Sequence, residues 1–244
     1  MIKDTFTEKK TWEKYWENYI PQKITEENQF RSLFERLNDG NGVLEFIEIG
    51  GFPGSFSIYF SKFKKYKTTL LDYFISQKVI DSLFAKNDIQ KGEINVIETD
   101  FFSYSNDNSF DLVFSSGFIE HFDDTKNVIA KHVDLLKPNG KLILTLPNLT
   151  GLNGIVQKYL DKSNYAIHNI NSMDINLLKD ICKSLDLKNI EVDFYGKPMI
   201  WLESTAPQST FTKKAIKILS LSLKIIPFKG KLFSPYIYIL ADKK

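Results

Sequence analysis

Apolar residues recur at helical spacing from early in the chain: Trp12, Tyr15, Trp16 and Tyr19, then Phe30, Leu33, Phe34 and Leu37. This predicts two amphipathic helices before residue 40. Asp39-Gly40-Asn41-Gly42 is a turn signal, and the apolar run 43–49, broken only by Glu45 and Glu48, predicts a buried strand. Beyond the glycines of 50–54 the spacing predicts a helix to about residue 63, strand 68–71 closed by Asp72, and helix 75–86. Strands 93–99 and 110–115, helix 124–136, a Pro138-Asn139-Gly140 turn and strand 141–146 follow. Helix 174–185 and strand 187–195 complete the alternation. Strands apolar on both faces, alternating with helices, predict a parallel sheet between helix layers and hence an α/β fold. A (β/α)8 barrel would need eight such units, and the helical opening leaves too little chain for them. A doubly wound open sheet fits, and such sheets bind ligands beyond the carboxyl ends of their strands.

The first strand runs into Glu48-Ile49-Gly50-Gly51-Phe52-Pro53-Gly54. A glycine-rich turn lets a ligand approach backbone whose N–H groups are still open. A dinucleotide fingerprint needs G-x-G-x-x-G, but Phe52 stands at the second glycine position and no glycine follows at the third. That argues against a pyrophosphate, and so against a nicotinamide oxidoreductase, and for a ligand held by Glu48 and backbone amides. Asp72 ends the second strand, about twenty residues on, where a carboxylate accepts from both ribose hydroxyls. Asp100-Phe101 ends the third, offering an acceptor for an exocyclic amine beside a ring able to cover a purine. Each acid taken alone would serve equally well as a helix cap or a loop residue. Their recurrence at successive strand ends points to a nucleoside.

Taken with Phe110-Asp111-Leu112-Val113-Phe114-Ser115-Ser116-Gly117-Phe118-Ile119-Glu120-His121-Phe122 and the segment 135–148, these motifs resemble the class I S-adenosylmethionine-dependent methyltransferases. The resemblance covers Glu48 to Asn148. It implies a Rossmann-like, seven-stranded, mostly parallel sheet with helices on both faces, whose last two strands, Leu187–Tyr195 and 235–241, form an antiparallel hairpin. It implies S-adenosylmethionine as donor and S-adenosylhomocysteine as product. Glu48, Gly50, Gly51 and Gly54 would surround the methionine part, Asp72 and Tyr73 the ribose, Asp100 and Phe101 the adenine, and backbone carbonyls of Ser115 or Ser116 the amino group. Family loops often carry another glycine where Phe52 stands, so the conformation of this loop is the open point. One domain, 1–244, is expected: a helical lid over 1–40, a donor-binding core over 41–147, and substrate-side insertions over 148–173 and 197–234. Trp16, with the other aromatics of the lid, would offer ring faces to a cationic sulfonium; the same spacing also suits plain packing onto the sheet.

A sulfonium already carries an activated methyl group, so the protein must align donor and acceptor and take a proton where the acceptor is a hydroxyl. No metal is expected. His121, beside the transfer centre by the same resemblance, is the first candidate base, with Glu120 to orient or replace it. His168, Tyr165 and Asn169 lie in an insertion that resembles the family's substrate-facing loops, and Asn148 at the end of the fifth strand points to the same region. The segment 211–226 carries a polar stripe, Lys213, Lys217, Ser220 and Lys224, on an otherwise apolar circumference. It would pack on the sheet or on a second copy in a homodimer, or, with Lys229 and Lys231, lie on a membrane surface over 211–231. The closing strand resembles those of methyltransferases of glycan and lipopolysaccharide assembly, which points to O-methylation of a small polar or lipid-linked acceptor such as a sugar. N- or C-methylation of another small molecule, and a noncatalytic nucleoside-binding module, are the other readings.

Composition narrows this little further. With 43% hydrophobic and 25% charged residues the chain can bury a core. A net charge of +2 gives no long-range pull on nucleic acid, and no nucleic-acid partner is expected. Cys182 alone excludes a disulfide framework and a multi-cysteine zinc cage, and the three histidines look too scattered to rebuild one. Charge at Glu8, Lys9 and Lys10 interrupts any signal-like apolar stretch, so a reducing cytoplasmic setting is the expectation.

Overall fold

The computed structural model describes residues 9–17, 19–37, 42–106, 109–203, 206–225 and 227–244. Most of the 39–42 turn and the first eight residues lie outside them. The predicted strands appear as β1 (Glu45–Ile49), β2 (Lys67–Asp72), β3 (Ile94–Glu98), β4 (Phe110–Ser116), β5 (Leu136–Pro147), β6 (Leu187–Tyr195) and β7 (Tyr236–Lys243). They form one sheet in the order β3-β2-β1-β4-β5-β7-β6. The first five strands pair in parallel, and β7 inserts antiparallel between β5 and β6. The chain winds outward from β1 to β3 and then returns to β4 on the other side, so the carboxyl ends of β1 and β4 flank the topological switch point. Four of the five β1 residues are buried, as expected of a strand covered on both faces.

Helices α1 (Lys9–Trp16), α2 (Arg31–Phe34), α3 (Ser55–Tyr59, continued as a π-turn to Lys64), α4 (Gln77–Lys86), α5 (Thr125–Leu135), α6 (Leu152–Leu160), α7 (Lys162–Ala166), α8 (Ile175–Lys183) and α9 (Thr210–Leu223) complete the fold. Asp124 and Asp174 end the segments predicted as helix by capping: Asp124 Oδ1 accepts from the Asn127 N–H at 3.0 Å, and Asp174 Oδ1 from the Asn176 N–H at 2.7 Å. The expected Pro138-Asn139-Gly140 turn is instead a bulge inside β5, with Asn139 at φ +61° and the pairing jumping from Phe110↔Leu136 to Leu112↔Lys141.

The 1–40 region is not a single lid. Phe30 and Phe34 are fully buried against β4 and the π-turn after α3, with ring centroids 5.5 Å apart for Phe34–Phe114 and 4.9 Å for Phe34–Phe60. This aromatic layer belongs to the core, and the helix predicted around it shrinks to the single turn of α2 because sheet packing, not helix length, holds it. Trp12, Tyr15 and Trp16 of α1, with the stretch 23–29, border the cavity at the strand ends. Of the stripe predicted along 211–226, Lys217 and Lys224 are exposed and Ser220 is buried. Ser220 points inward and its Oγ accepts from the Ile200 N–H at 3.1 Å, while Phe211, Ile218 and Leu221 are exposed. Among the described residues no helix is long and apolar enough to cross a membrane.

Candidate active site

A cavity of about 910 Å³ opens at the carboxyl ends of β1, β2 and β4. Gly50 closes β1 at φ +62°, its N–H donating to the Leu71 carbonyl at 2.8 Å, and a Cβ on it would fall 2.1 Å from the Phe118 ring. A Cβ on Gly51 would fall 2.2 Å from the Glu48 side chain. The loop thus places backbone where side chains would fill the cradle, which suits a bulky ligand. Phe52, the departure from the family pattern, tucks its ring against Trp16 at 5.3 Å and Phe74 at 5.5 Å and keeps the loop open. Its N–H donates to Asp72 Oδ2 at 2.9 Å, and the Phe74 N–H donates to Asp72 Oδ1 at 3.0 Å.

Of the expected donor residues, Trp16, Glu48, Gly50, Gly51, Asp72, Tyr73, Asp100, Phe101 and Ser116 line this cavity. Gly54 and Ser115 do not: Gly54 starts α3 in the left-handed region, and the Ser115 side chain is buried within the sheet. Asp100 Oδ1 closes its own turn, accepting from the N–H groups of Phe102 (2.9 Å) and Ser103 (3.0 Å), so the capping role and the cavity-facing position coexist. Phe101 is a wall, packed on Phe118 and on the buried His132, not a free cover. Burial pushes the Glu48 carboxyl up to about 7, against donation to Oε2 from the Ser57 N–H and hydroxyl, both at 2.6 Å. Burial likewise raises Asp72 to about 6.

A second cavity of about 380 Å³ adjoins the first, with Trp12, Tyr15, Gly117 and His121 common to both. It brings Glu120, His121 and His168 together; the two imidazole centroids are 4.9 Å apart, so two of the three histidines that look scattered in sequence are neighbours. The short 3₁₀ turn Ile119–His121 after β4 carries two of the three, and the strap 161–169 brings the third. Both Glu120 carboxylate oxygens are buried without a hydrogen-bond partner, and burial raises this group to about 8. Burial, with His168 alongside, lowers His121 to about 3, while its Nδ1 donates to the Ile167 carbonyl at 3.1 Å. Such an imidazole stays neutral at physiological pH and has little capacity to keep a proton.

Three expected acceptor residues are structural ties. The Asn148 side chain donates to the Lys231 and Ser234 carbonyls at 2.8 Å each and accepts from the Thr150 N–H and hydroxyl, which fills its amide. The Asn169 side chain donates to the Phe122 carbonyl at 2.9 Å, and its N–H donates to the Glu120 carbonyl at 2.7 Å, so it holds the 3₁₀ turn in place. Tyr165 packs on the core. Asp161, Trp201 and Glu203 line the second cavity instead. Trp201 Nε1 donates to Glu203 Oε1 at 3.0 Å and the Tyr15 hydroxyl to Glu203 Oε2 at 3.2 Å. They were missed because segments distant in sequence meet here, Tyr15 and Glu203 being 188 residues apart, and no local period marks them.

The sheet order, with a cavity at its switch point, is that of the Rossmann-like methyltransferase fold. Residues 47–144 match the family model described as a methyltransferase domain. No curated protein matches the sequence. Among solved structures, a SAM-dependent methyltransferase from Archaeoglobus fulgidus superposes with TM-score 0.56 at 19% identity, covering 88% of this chain and 91% of that one. A possible histamine N-methyltransferase from Thermotoga maritima gives 0.57 at 15% identity over 88% and 87%. Phosphoethanolamine N-methyltransferase 2 of Haemonchus contortus, in complex with S-adenosyl-L-methionine, gives 0.59 at 17% over 87% and 51%. At such identities the likeness is one of fold.

Proposed function

We propose that the enzyme transfers the methyl group to a hydroxyl of a small polar acceptor, of the sugar class, seated in the second cavity. The observation that carries this reading is that cavity itself. It adjoins the donor cavity at Gly117 and His121, and Glu120, Asp161, Glu203 and Trp201 are among the residues that line it. Carboxylates that accept from vicinal hydroxyls, beside an aromatic face that covers C–H groups, suit a polyol ring. The donor supplies an activated methyl group. Glu48, Asp72 and Asp100 hold its polar parts, and α1 with Trp12 and Trp16 shields the junction from water. With Nδ1 donating to Ile167, the His121 lone pair lies on Nε2, where it accepts from the acceptor hydroxyl and aims that oxygen at the methyl carbon. As the new C–O bond forms, the carbon–sulfur bond breaks with its electrons passing to sulfur, and the hydroxyl proton passes to His121 Nε2, which hands it on to solvent once the site opens. A panel of methyl glycosides, nucleotide sugars and polyprenyl-linked sugars, with ethanolamine as an amine control, tests this with methyl-labelled donor. Label on a ring hydroxyl supports it; label on the amine alone overturns it. Trp201→Ala is expected to raise the acceptor KM about 10-fold and leave the donor KM unchanged.

A lipid-linked acceptor is supported by α9. Phe211, Ile218 and Ile225 recur every seven residues and are 82%, 66% and 83% exposed. Exposed Lys214, Lys217 and Lys224 flank them. Ser220 ties this helix to Ile200, next to Trp201 of the acceptor cavity. The protein is expected to sediment with phosphatidylglycerol vesicles and not with phosphatidylcholine ones, and the double variant Phe211→Asp/Ile218→Asp to stay in the supernatant. Equal sedimentation of variant and wild type would remove α9 as the contact.

A further inference from the structure

We propose that Glu120, His121 and His168 form a binding site for one divalent transition-metal ion in the acceptor cavity, where it would take a hydroxyl of the acceptor as a further ligand. One side-chain ligand atom from each of the three residues lies within 4.8 Å of those of the other two. Glu120 offers an uncommitted ligand: the residue is 0% exposed, and neither carboxylate oxygen has a hydrogen-bond partner. A carboxyl group buried in that way is unfavourable unless something neutralises it, and among the described residues no lysine or arginine lines this cavity.

The two histidines are oriented as ligands usually are. His121 Nδ1 meets the Ile167 carbonyl at 3.1 Å and His168 Nδ1 the Asn164 carbonyl at 2.6 Å. A carbonyl accepts only from an N–H, so each ring presents its lone pair at Nε2, with the second nitrogen fixed by backbone. Two imidazoles and one carboxylate favour zinc, cobalt, iron or manganese over magnesium or calcium, which take oxygen donors. Three protein ligands leave further coordination positions open toward the cavity, the arrangement of catalytic rather than structural metal sites. Asp161, whose buried Oδ2 also lacks a partner, borders the same space.

The inference deepens the hydroxyl-acceptor reading and rests on it for the role of the ion, though not for its binding. A cation here would lower the pKa of the acceptor hydroxyl, so that its proton leaves to solvent before or during attack, and would hold the oxygen beside the donor cavity.

The test starts from full-length protein dialysed against chelator and then titrated with Co²⁺ and with Zn²⁺ by calorimetry, with visible absorption of the cobalt form. Wild type is expected to bind one equivalent per chain and to show the ligand-field bands of a nitrogen- and oxygen-ligated cobalt ion. Glu120→Gln and His168→Ala are each expected to weaken binding at least about 10-fold. S-adenosylhomocysteine binding, measured on the same samples, reports that each variant is folded. A wild-type protein that takes up neither ion, or variants that bind as well as wild type, would overturn the site. Failure of the acceptor reading looks different: stoichiometric metal bound, with no hydroxyl compound methylated.

Discussion

Asp72→Ala is expected to lower affinity for S-adenosylhomocysteine by about 100-fold, on the order of 3 kcal/mol. The carboxylate has two acceptor oxygens at the end of β2, and each already takes one loop N–H, from Phe52 at 2.9 Å and from Phe74 at 3.0 Å. The Tyr73 N–H also reaches this carboxylate, which lines the cavity where two ribose hydroxyls would donate to it. Hydrogen bonds to a charged group contribute about 1.5–3 kcal/mol each, which sets the size of the loss. The alanine variant also frees the loop N–H groups, so Asp72→Asn is the cleaner companion: it retains one acceptor oxygen and should fall between the two. Calorimetric titration reads all three proteins, and an alanine variant within about threefold of wild type would show that the ribose is held elsewhere.

Glu48→Gln is expected to do the opposite to two properties, raising the stability of the ligand-free protein while weakening donor binding. Glu48 is 2% exposed, and burial lifts its carboxyl from 4.5 to about 7. Between those values the folded protein holds a proton that the unfolded chain has released, so stability declines as pH rises through that interval. Above pH 7 the ionised group is destabilising by on the order of 3 kcal/mol. Glutamine is uncharged, and its oxygen still accepts from Ser57. The melting temperature of the variant should therefore exceed that of wild type at pH 8, and the difference should vanish below about pH 4.5. Affinity for the sulfonium donor should fall, since an anion facing a cation is removed. A variant no more stable than wild type at pH 8 would mean that Glu48 is not held ionised at a disadvantage in the folded protein.

Much of the donor side is legible along the chain because it is local. Gly50, Asp72 and Asp100 each sit at or just beyond a strand's end, and strand ends follow from the period of apolar residues and the turn that interrupts them. The helix limits at Asp124 and Asp174 are legible for the same reason, as short-range caps. The acceptor side is not. Asn148 and Asn169 are polar residues in loops, the usual signature of a binding residue, yet their amides bridge backbone segments as far apart as Asn148 and Ser234. Conversely Trp201 and Glu203 enter the site from a segment with no periodic pattern, brought there by Asn153 and Gln157 of α6, which bond the Trp201 backbone at 3.0 Å and 2.8 Å.

The amino-acid pattern by itself determined the α/β class, the order of the strands along the chain and the run of acids at their ends, because each depends on residues close in sequence. Only the tertiary structure decided that β7 enters between β5 and β6, and that Phe30 and Phe34 are core and not lid. It also decided that Glu120 and His121 meet His168 across a gap of more than forty residues. Those outcomes turn on which buried surfaces fit together and which buried polar groups find partners. Such terms are set by contacts between distant segments, so no local window of sequence contains them.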